Sequence, residues 1–136
     1  MEVQLLELTL LGDQRGSLVA IESDNSIPFG IKRTYYIFGT QPNVARGFHA
    51  HKELRQFAVC VSGHCKMLLD DGISKEVVTL DSPTSGILIE PYIWHEMYEF
   101  SDNCVLLVLA DDHYDESDYI RDYAEFEKMV KKNVKK

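Results

Sequence analysis

Arg46-Gly47-Phe48-His49-Ala50-His51 is the stretch from which the fold of this chain can be read. It has the pattern of an extended segment, and side chains two residues apart on a strand share one face, so His49 and His51 project into the same space. Histidine is the side chain that titrates nearest neutrality, and it is a common metal ligand. A convergent pair therefore suits proton transfer or metal binding. Taken alone, the pair also fits two surface histidines on the rim of a barrel.

Outward from this segment, short β-rich runs separated by turn residues reach from position 3 to position 110. Strands are expected at 3–8, 18–21, 31–38, 47–51, 56–62, 65–69, 75–80, 86–89, 94–100 and 104–110, from alternation or short apolar runs. Ser62-Gly63 and Asp70-Asp71-Gly72 read as hairpin turns, because glycine tolerates the positive φ that tight turns demand. Many short strands of this kind imply a mainly β chain, an antiparallel barrel or jelly roll, and not a βαβ fold. From Ser117 or Asp118 to about Val134 the period changes. Ile120, Tyr123, Phe126, Met129 and Val130 form a helical stripe with acidic residues in its first turn and lysines in its last. The expectation is one domain over 1–136, with the barrel over about 1–112 and one C-terminal α-helix over about 117–134. The stripe is expected to pack against the barrel or a second subunit.

A chain of 136 residues with 45% hydrophobic residues fits a single folded domain. Its net charge of −8 argues against a nucleic-acid partner, which selects for a basic footprint. No apolar run has the length of a membrane span, and the N-terminus lacks the basic start and apolar block of a secretory signal, so a cytoplasmic location is expected. Cys60, Cys65 and Cys104 are odd in number, lack a Cys-x-x-Cys spacing and lie in apolar runs. They are expected as buried free thiols. The basic residues are unevenly placed. Lys128, Lys131, Lys132, Lys135 and Lys136 crowd the end as a solvated helix face, whereas Arg15, Lys32, Arg33, Arg46, Lys52 and Arg55 surround the histidine segment and suit an anionic ligand. Lys32 and Arg33 point to opposite faces of one strand, so only one of them faces the site.

Beyond His49-x-His51 come Gln56 and Gly63, and then Pro91-Tyr92-Ile93-Trp94-His95. This layout resembles the two motifs of the cupin superfamily. In metal-binding cupins the first motif supplies two histidines and a glutamate, and the second supplies another histidine. Here Gln56 stands where the glutamate is expected, and the second motif lacks its usual glycine. A neutral amide adds little affinity for a divalent cation, so both departures count against a metal. Glu53, a further two-residue step past His51, would complete a His-His-Glu face if the strand ran straight through it.

More of the chain matches a narrower group. Arg15-Gly16-Ser17-Leu18-Val19-Ala20-Ile21-Glu22, Pro28-Phe29-Gly30-Ile31-Lys32-Arg33-Thr34-Tyr35-Tyr36-Ile37, the His49 segment and Tyr114-Asp115-Glu116-Ser117-Asp118-Tyr119-Ile120-Arg121 resemble the signatures of the dTDP-4-keto-6-deoxyglucose 3,4-ketoisomerases. Those enzymes supply 3-keto sugars for 3-amino-3,6-dideoxyhexoses of bacterial surface polysaccharides. The resemblance implies a small β-barrel isomerase, a homodimer with exchanged N-terminal strands, that acts on a dTDP-linked 4-keto-6-deoxy sugar without a metal or organic cofactor. Arg15 and His95 match the branch whose product has the galacto configuration at C4.

Moving a carbonyl from C4 to C3 needs a base for the C3 proton, an acid for C4 and groups that hold the developing oxyanion. His49 and His51 are expected to transfer the protons, with His51 the first choice for base. Tyr35 is expected to hydrogen-bond the shifting oxygens, and Arg15 or His95 to polarise the ketone or set the face of C4 that is protonated. Arg33 and Arg46 are expected to bind the diphosphate. Three rival readings are a dTDP-sugar 3,5-epimerase, a metal-dependent cupin enzyme and a non-catalytic nucleotide-sugar-binding barrel.

Overall fold

The computed structural model describes residues 1–134. Lys135 and Lys136, expected at the solvated end of the helix, lie outside the described residues. The strands are β1 (Leu5–Glu7), β2 (Leu11–Asp13), β3 (Gly16–Leu18), β4 (Arg33–Ile37), β5 (Arg46–His51), β6 (Gln56–Ser62), β7 (Cys65–Asp70), β8 (Lys75–Leu80), β9 (Ser85–Ile89), β10 (Trp94–Tyr98), β11 (Val105–Ala110) and β12 (Tyr119–Ile120). One α-helix, α1 (Tyr123–Val134), follows them.

Two five-stranded sheets face each other, in the orders β1-β9-β6-β11-β4 and β12-β5-β10-β7-β8. Every pairing within them is antiparallel. The two-residue period of the strands fills the space between. Ala58 and Cys60 of β6, Met67 and Leu69 of β7, Ile87 and Ile89 of β9, and Leu106 and Val108 of β11 form one buried cluster. The cupin-type β sandwich expected from the sequence is the architecture observed.

The first sheet is covered on its outer face as well. Phe57, Val59, Leu88 and Leu109 point away from the interior and pack against Leu8, Ile27 and Phe29 of the N-terminal segment. Burial on both faces explains why β6 reads as an unbroken apolar run instead of an alternating one. On the second sheet α1 does the covering, with Phe126 and Val130 against Ala50, Trp94 and Ile120. The Tyr123 hydroxyl donates to Asp70 Oδ2 at 2.5 Å and fixes the helix start to β7.

Two expectations are corrected. The segment 18–21 is not a strand. The chain instead forms a hairpin of β2 and β3, with Leu11 opposite Leu18, and then leaves it so that Val19 and Ile21 pack onto the N-terminal cluster. The helix starts at Tyr123, later than 117. Asp115 accepts from the backbone N–H and hydroxyl of Ser117 and sets a single 3₁₀ turn over Glu116–Asp118. Tyr119 and Ile120 are then drawn into strand pairing with His51 and Ala50. The helical stripe hid this because Ile120 is buried in the same cluster as Phe126 and Val130.

Candidate active site

His49 and His51 lie on one face of β5, as their spacing requires. β5 runs between β10 and β12, so each histidine has a cross-strand neighbour: His95 opposite His49, and Tyr119 opposite His51. The ring centroid of His49 is 5.0 Å from that of His51 and 4.5 Å from that of His95. The Tyr119 ring packs beside both members of the pair, at 4.9 Å from His49 and 4.3 Å from His51.

The glycine in Arg46-Gly47-Phe48-His49 has a defined task. Gly47 has φ 96° and faces a register shift between His95 and Glu96, and a Cβ there would lie 2.8 Å from the carbonyl oxygen of His95. Phe48 follows at φ 60°, a left-handed conformation that costs a non-glycine residue free energy. This kink brings β5 and β10 close enough for the two imidazoles to meet.

Each imidazole is oriented through Nδ1. His49 contacts the carbonyl of Gly47 at 3.1 Å, His95 that of Ile93 at 3.2 Å, and His51 the carboxylate Oδ2 of Asp118 at 3.2 Å. Asp118 also accepts backbone N–H bonds from Glu53 at 2.9 Å and Leu54 at 3.2 Å, so its carboxylate is held in place. A neutral His51 with its proton on Nδ1 presents an unprotonated Nε2, and that atom is buried with no protein partner. Burial, and next the neighbouring His49, push His51 down to about 3. Burial likewise holds His95 down at about 3 and lowers His49. The Asp118 carboxylate works in the other direction, favouring the imidazolium once a proton arrives.

Across the interior, the Tyr35 hydroxyl donates to Gln56 Oε1 at 2.7 Å. Burial raises it to about 12, so it remains a protonated donor at neutral pH. Gln56 is itself buried, and its Nε2 lacks an acceptor. Arg33 shares the inward side of β4 with Tyr35, its guanidinium 5.2 Å from the Tyr35 ring centroid, and its Nε is buried without a partner. Lys32 is exposed, as its opposite orientation requires. Arg55 and Lys52 are occupied elsewhere, by Glu90 and by the Ser117 carbonyl.

Arg33, Tyr35, Arg46, His49, Tyr119 and Arg121 line one cavity of about 520 Å³. A second cavity of about 210 Å³ is lined by His51 and Asp118, with Arg33 and Tyr119 as the shared wall. Of the residues expected from sequence, His49, His51, His95, Tyr35, Arg33 and Arg46 therefore come together. Arg15 does not. It sits in the turn of the β2–β3 hairpin, its side chain is 86% exposed, and its guanidinium pairs with Asp13 at 2.6 Å.

Asp118, Tyr119 and Arg121 were not singled out from sequence. All three lie in the Tyr114 to Arg121 block, in which Arg121 packs 4.2 Å over the Tyr119 ring and pairs with Glu116. Glu53 does not join the histidines as a third strand ligand, because β5 ends at His51. One ring nitrogen of each histidine lies within 4.8 Å of the others, a spacing that fits three imidazole donors to a cation. The glutamate position of metal-binding cupins does not fit, since it holds Gln56 with its oxygen engaged by Tyr35.

A family model described as FdtA, WxcM-like, C-terminal, matches residues 1–131. The chain belongs to this 3,4-ketoisomerase family and is an isomerase. A curated relative, the TDP-4-oxo-6-deoxy-α-D-glucose-3,4-oxoisomerase of Aneurinibacillus thermoaerophilus, is 52% identical over 132 residues, covering 97% of this chain and 95% of that one. A histidine-to-asparagine variant of the 3,4-ketoisomerase QdtA from Thermoanaerobacterium thermosaccharolyticum, in complex with TDP-4-keto-6-deoxyglucose, superposes with a TM-score of 0.93 at 40% identity, covering 96% of this chain and 94% of that one. The TDP-quinovose 3,4-ketoisomerase WlaRB from Campylobacter jejuni gives 0.89 at 47% identity, covering 93% and 97%. The antiparallel sandwich is thus an architecture this chain shares with solved 3,4-ketoisomerases. No helix among the described residues is long and apolar enough to cross a membrane.

Proposed function

We propose that this ketoisomerase converts dTDP-4-keto-6-deoxy-D-glucose to dTDP-3-keto-6-deoxy-D-galactose by proton transfer through an enediolate, without a metal. The observation that carries the reading is a buried base in an unsatisfied state: His51 holds Asp118 at Nδ1, and its Nε2 has no protein partner. A sugar C3–H placed against Nε2 supplies what that nitrogen lacks.

The C4 ketone acidifies the C3 proton, and His51 removes it. The resulting enediolate spreads charge over O3 and O4, where the Tyr35 hydroxyl is the neutral donor. As the C3 hydroxyl loses its proton and becomes the ketone, O4 gains one and becomes the hydroxyl. Burial keeps both His49 and His51 neutral at the start, so the acid for C4 is made by the first transfer. His51 returns the proton itself or passes it to His49 on the same face of β5.

In the gluco substrate and the galacto product, the protons at C3 and C4 lie on the same side of the sugar ring. A pair of histidines on one strand face suits that outcome, and Arg15 and His95 match the galacto branch by sequence resemblance. A second reading, the gluco product, rests on the 47% identity to an enzyme named for TDP-quinovose and requires a donor on the opposite side. Arg33, with a buried unpaired Nε, and Arg46 are assigned to the diphosphate, with Arg121 at the same cavity.

Incubation with dTDP-4-keto-6-deoxyglucose in heavy water, followed by NMR, tests the proposal. The expected spectrum has the ketone at C3, deuterium confined to the carbons that exchange, and H4 couplings of a galacto ring. A ketone that stays at C4 would refute the reading. The convergence of three imidazoles keeps one competitor in view, a metal-dependent cupin enzyme, which elemental analysis separates.

A further inference from the structure

At the end of the barrel away from His49, His51 and His95, three thiols converge that the proposed isomerase reaction does not use. Cys60 lies four residues beyond Gln56 on β6, ~13 Å further along the strand. Its Sγ is 3.6 Å from Cys65 Sγ and 3.6 Å from Cys104 Sγ, and all three sulfurs lie within 4.8 Å of one another. All are free and buried, inside the cluster that includes Met67, Phe100 and Leu106. The sulfurs span both sheets, since Cys60 on β6 and Cys104 before β11 belong to the first and Cys65 on β7 to the second. Over them close the 61–64 turn and the 101–104 loop, joined by the bonds of His64 N–H to Ser101 Oγ and of Ser62 Oγ to the Asn103 carbonyl.

We propose that this triad is a binding site for a trivalent thiophilic metalloid of the arsenous-acid class, held by all three sulfurs. Charge selects this chemistry. Three thiols react with As(OH)₃ by breaking three As–O and forming three As–S bonds, while the thiol protons leave with the hydroxides as three waters. Arsenic stays trivalent throughout, and the product carries no charge. A monovalent or divalent cation on three thiolates would leave net negative charge in an apolar interior, at a large desolvation cost. Burial raises the Cys104 thiol to about 12, and the Sγ contact with Cys65, then burial, raises Cys60, so the site favours neutral sulfur.

Geometry agrees. For sulfur bonds of ~2.3 Å, the length thiolates make to zinc, a planar trigonal centre separates its sulfurs by ~4.0 Å and a pyramidal one by ~3.5 Å. The two 3.6 Å separations from Cys60 match the pyramidal arrangement of a centre with a lone pair, and the third sulfur pair lies within 4.8 Å. Once bound, such a centre links the two sheets and resists their separation.

The test treats the full chain with sodium arsenite, both as folded protein and by refolding from urea in its presence, so that slow entry past the 61–64 turn does not decide the result. The expected outcome is one arsenic per chain by native mass spectrometry, three sulfur neighbours by X-ray absorption, and a raised Tm. Each of Cys60→Ala, Cys65→Ala and Cys104→Ala is expected to weaken retention by at least about tenfold. Refolded wild-type chain that carries no arsenic, that holds it through fewer than three sulfurs, or that shows no rise in Tm would overturn the proposal. None of these wild-type readouts depends on a variant that folds.

Discussion

Asp118 and His51, separated by 67 positions in sequence, are joined by a 3.2 Å contact between Oδ2 and Nδ1, made by way of a two-residue strand. In the proposed mechanism the carboxylate fixes the imidazole tautomer and stabilises the charge that the ring acquires on accepting a proton. Asp118→Asn keeps the size of the side chain but offers an amide in place of a charge. We expect kcat to fall by at least about tenfold, or ~1.4 kcal/mol of barrier, with KM little changed. Thermal unfolding of the variant separates this from loss of structure, because Asp118 also holds the Glu53 and Leu54 amides. Unchanged kcat in a folded variant would remove Asp118 from the mechanism.

The proton-transfer roles of the histidines are tested by His49→Asn and His51→Asn, which retain polarity without a base near neutral pH. Groups of this kind contribute about a hundredfold or more to rate. Both variants should lose at least that much turnover, and His51→Asn should also stop deuterium entering from heavy water. Near-normal turnover in both would leave the enediolate route without its base.

The depressed histidines bear on stability as well. In the unfolded chain an imidazole takes up its proton near 6.5, whereas His51 and His95 take it up only near 3 in the folded state. Between those values the unfolded state binds more protons. Stability is therefore full above 6.5 and lost as pH falls toward 3, by up to ~1.4 kcal/mol per pH unit for each such group. Urea midpoints measured at neutral pH and midway through the window should show this decline, and His95→Gln should flatten it. An identical slope in the variant would mean that other groups control the acid limb.

The histidine pair, His95, Tyr35, Arg33 and the sandwich were legible because each rests on a local rule. Period-two alternation places His49 beside His51 and Arg33 beside Tyr35, and turn glycines mark the strand ends. Asp118 and Tyr119 were hidden for a physical reason. Asp118 ends a single 3₁₀ turn and Tyr119 opens a two-residue strand, both too short to show a period, and Ile120 satisfies the helical stripe that follows. The hairpin at the N-terminus was missed because Leu11 and Leu18 are exposed on it, 50% and 57%, so no core pattern marks either strand.

Gly47 gives a backbone test of the β5–β10 contact. A methyl at its Cβ position would meet the His95 carbonyl at 2.8 Å, and the φ of 96° disfavours any L side chain. Gly47→Ala should destabilise the fold by more than ~1 kcal/mol and lower turnover, since it pushes His95 away from His49. Chemical denaturation and kinetics on the same preparation check both effects. A variant as stable and as active as wild type would show that the kink is not needed to assemble the cluster.

Arg15 leads to a prediction about assembly. Within one chain it is solvated at the tip of a hairpin that pairs with no other strand among the described residues, flanked by the exposed Leu10, Leu11 and Leu18. A lone two-stranded hairpin is marginal in water, and exposed leucines on it call for a covering surface. We propose that exchange of this segment between two copies would cover the leucines and carry Arg15 away from its own barrel toward the second active site. Sedimentation equilibrium should therefore report a dimer. Leu11→Asp combined with Leu18→Asp should shift it toward monomer and reduce turnover together with the dimer fraction. If the monomer produced in this way keeps full activity and the same product configuration, Arg15 has no part in the reaction and each histidine cluster works alone.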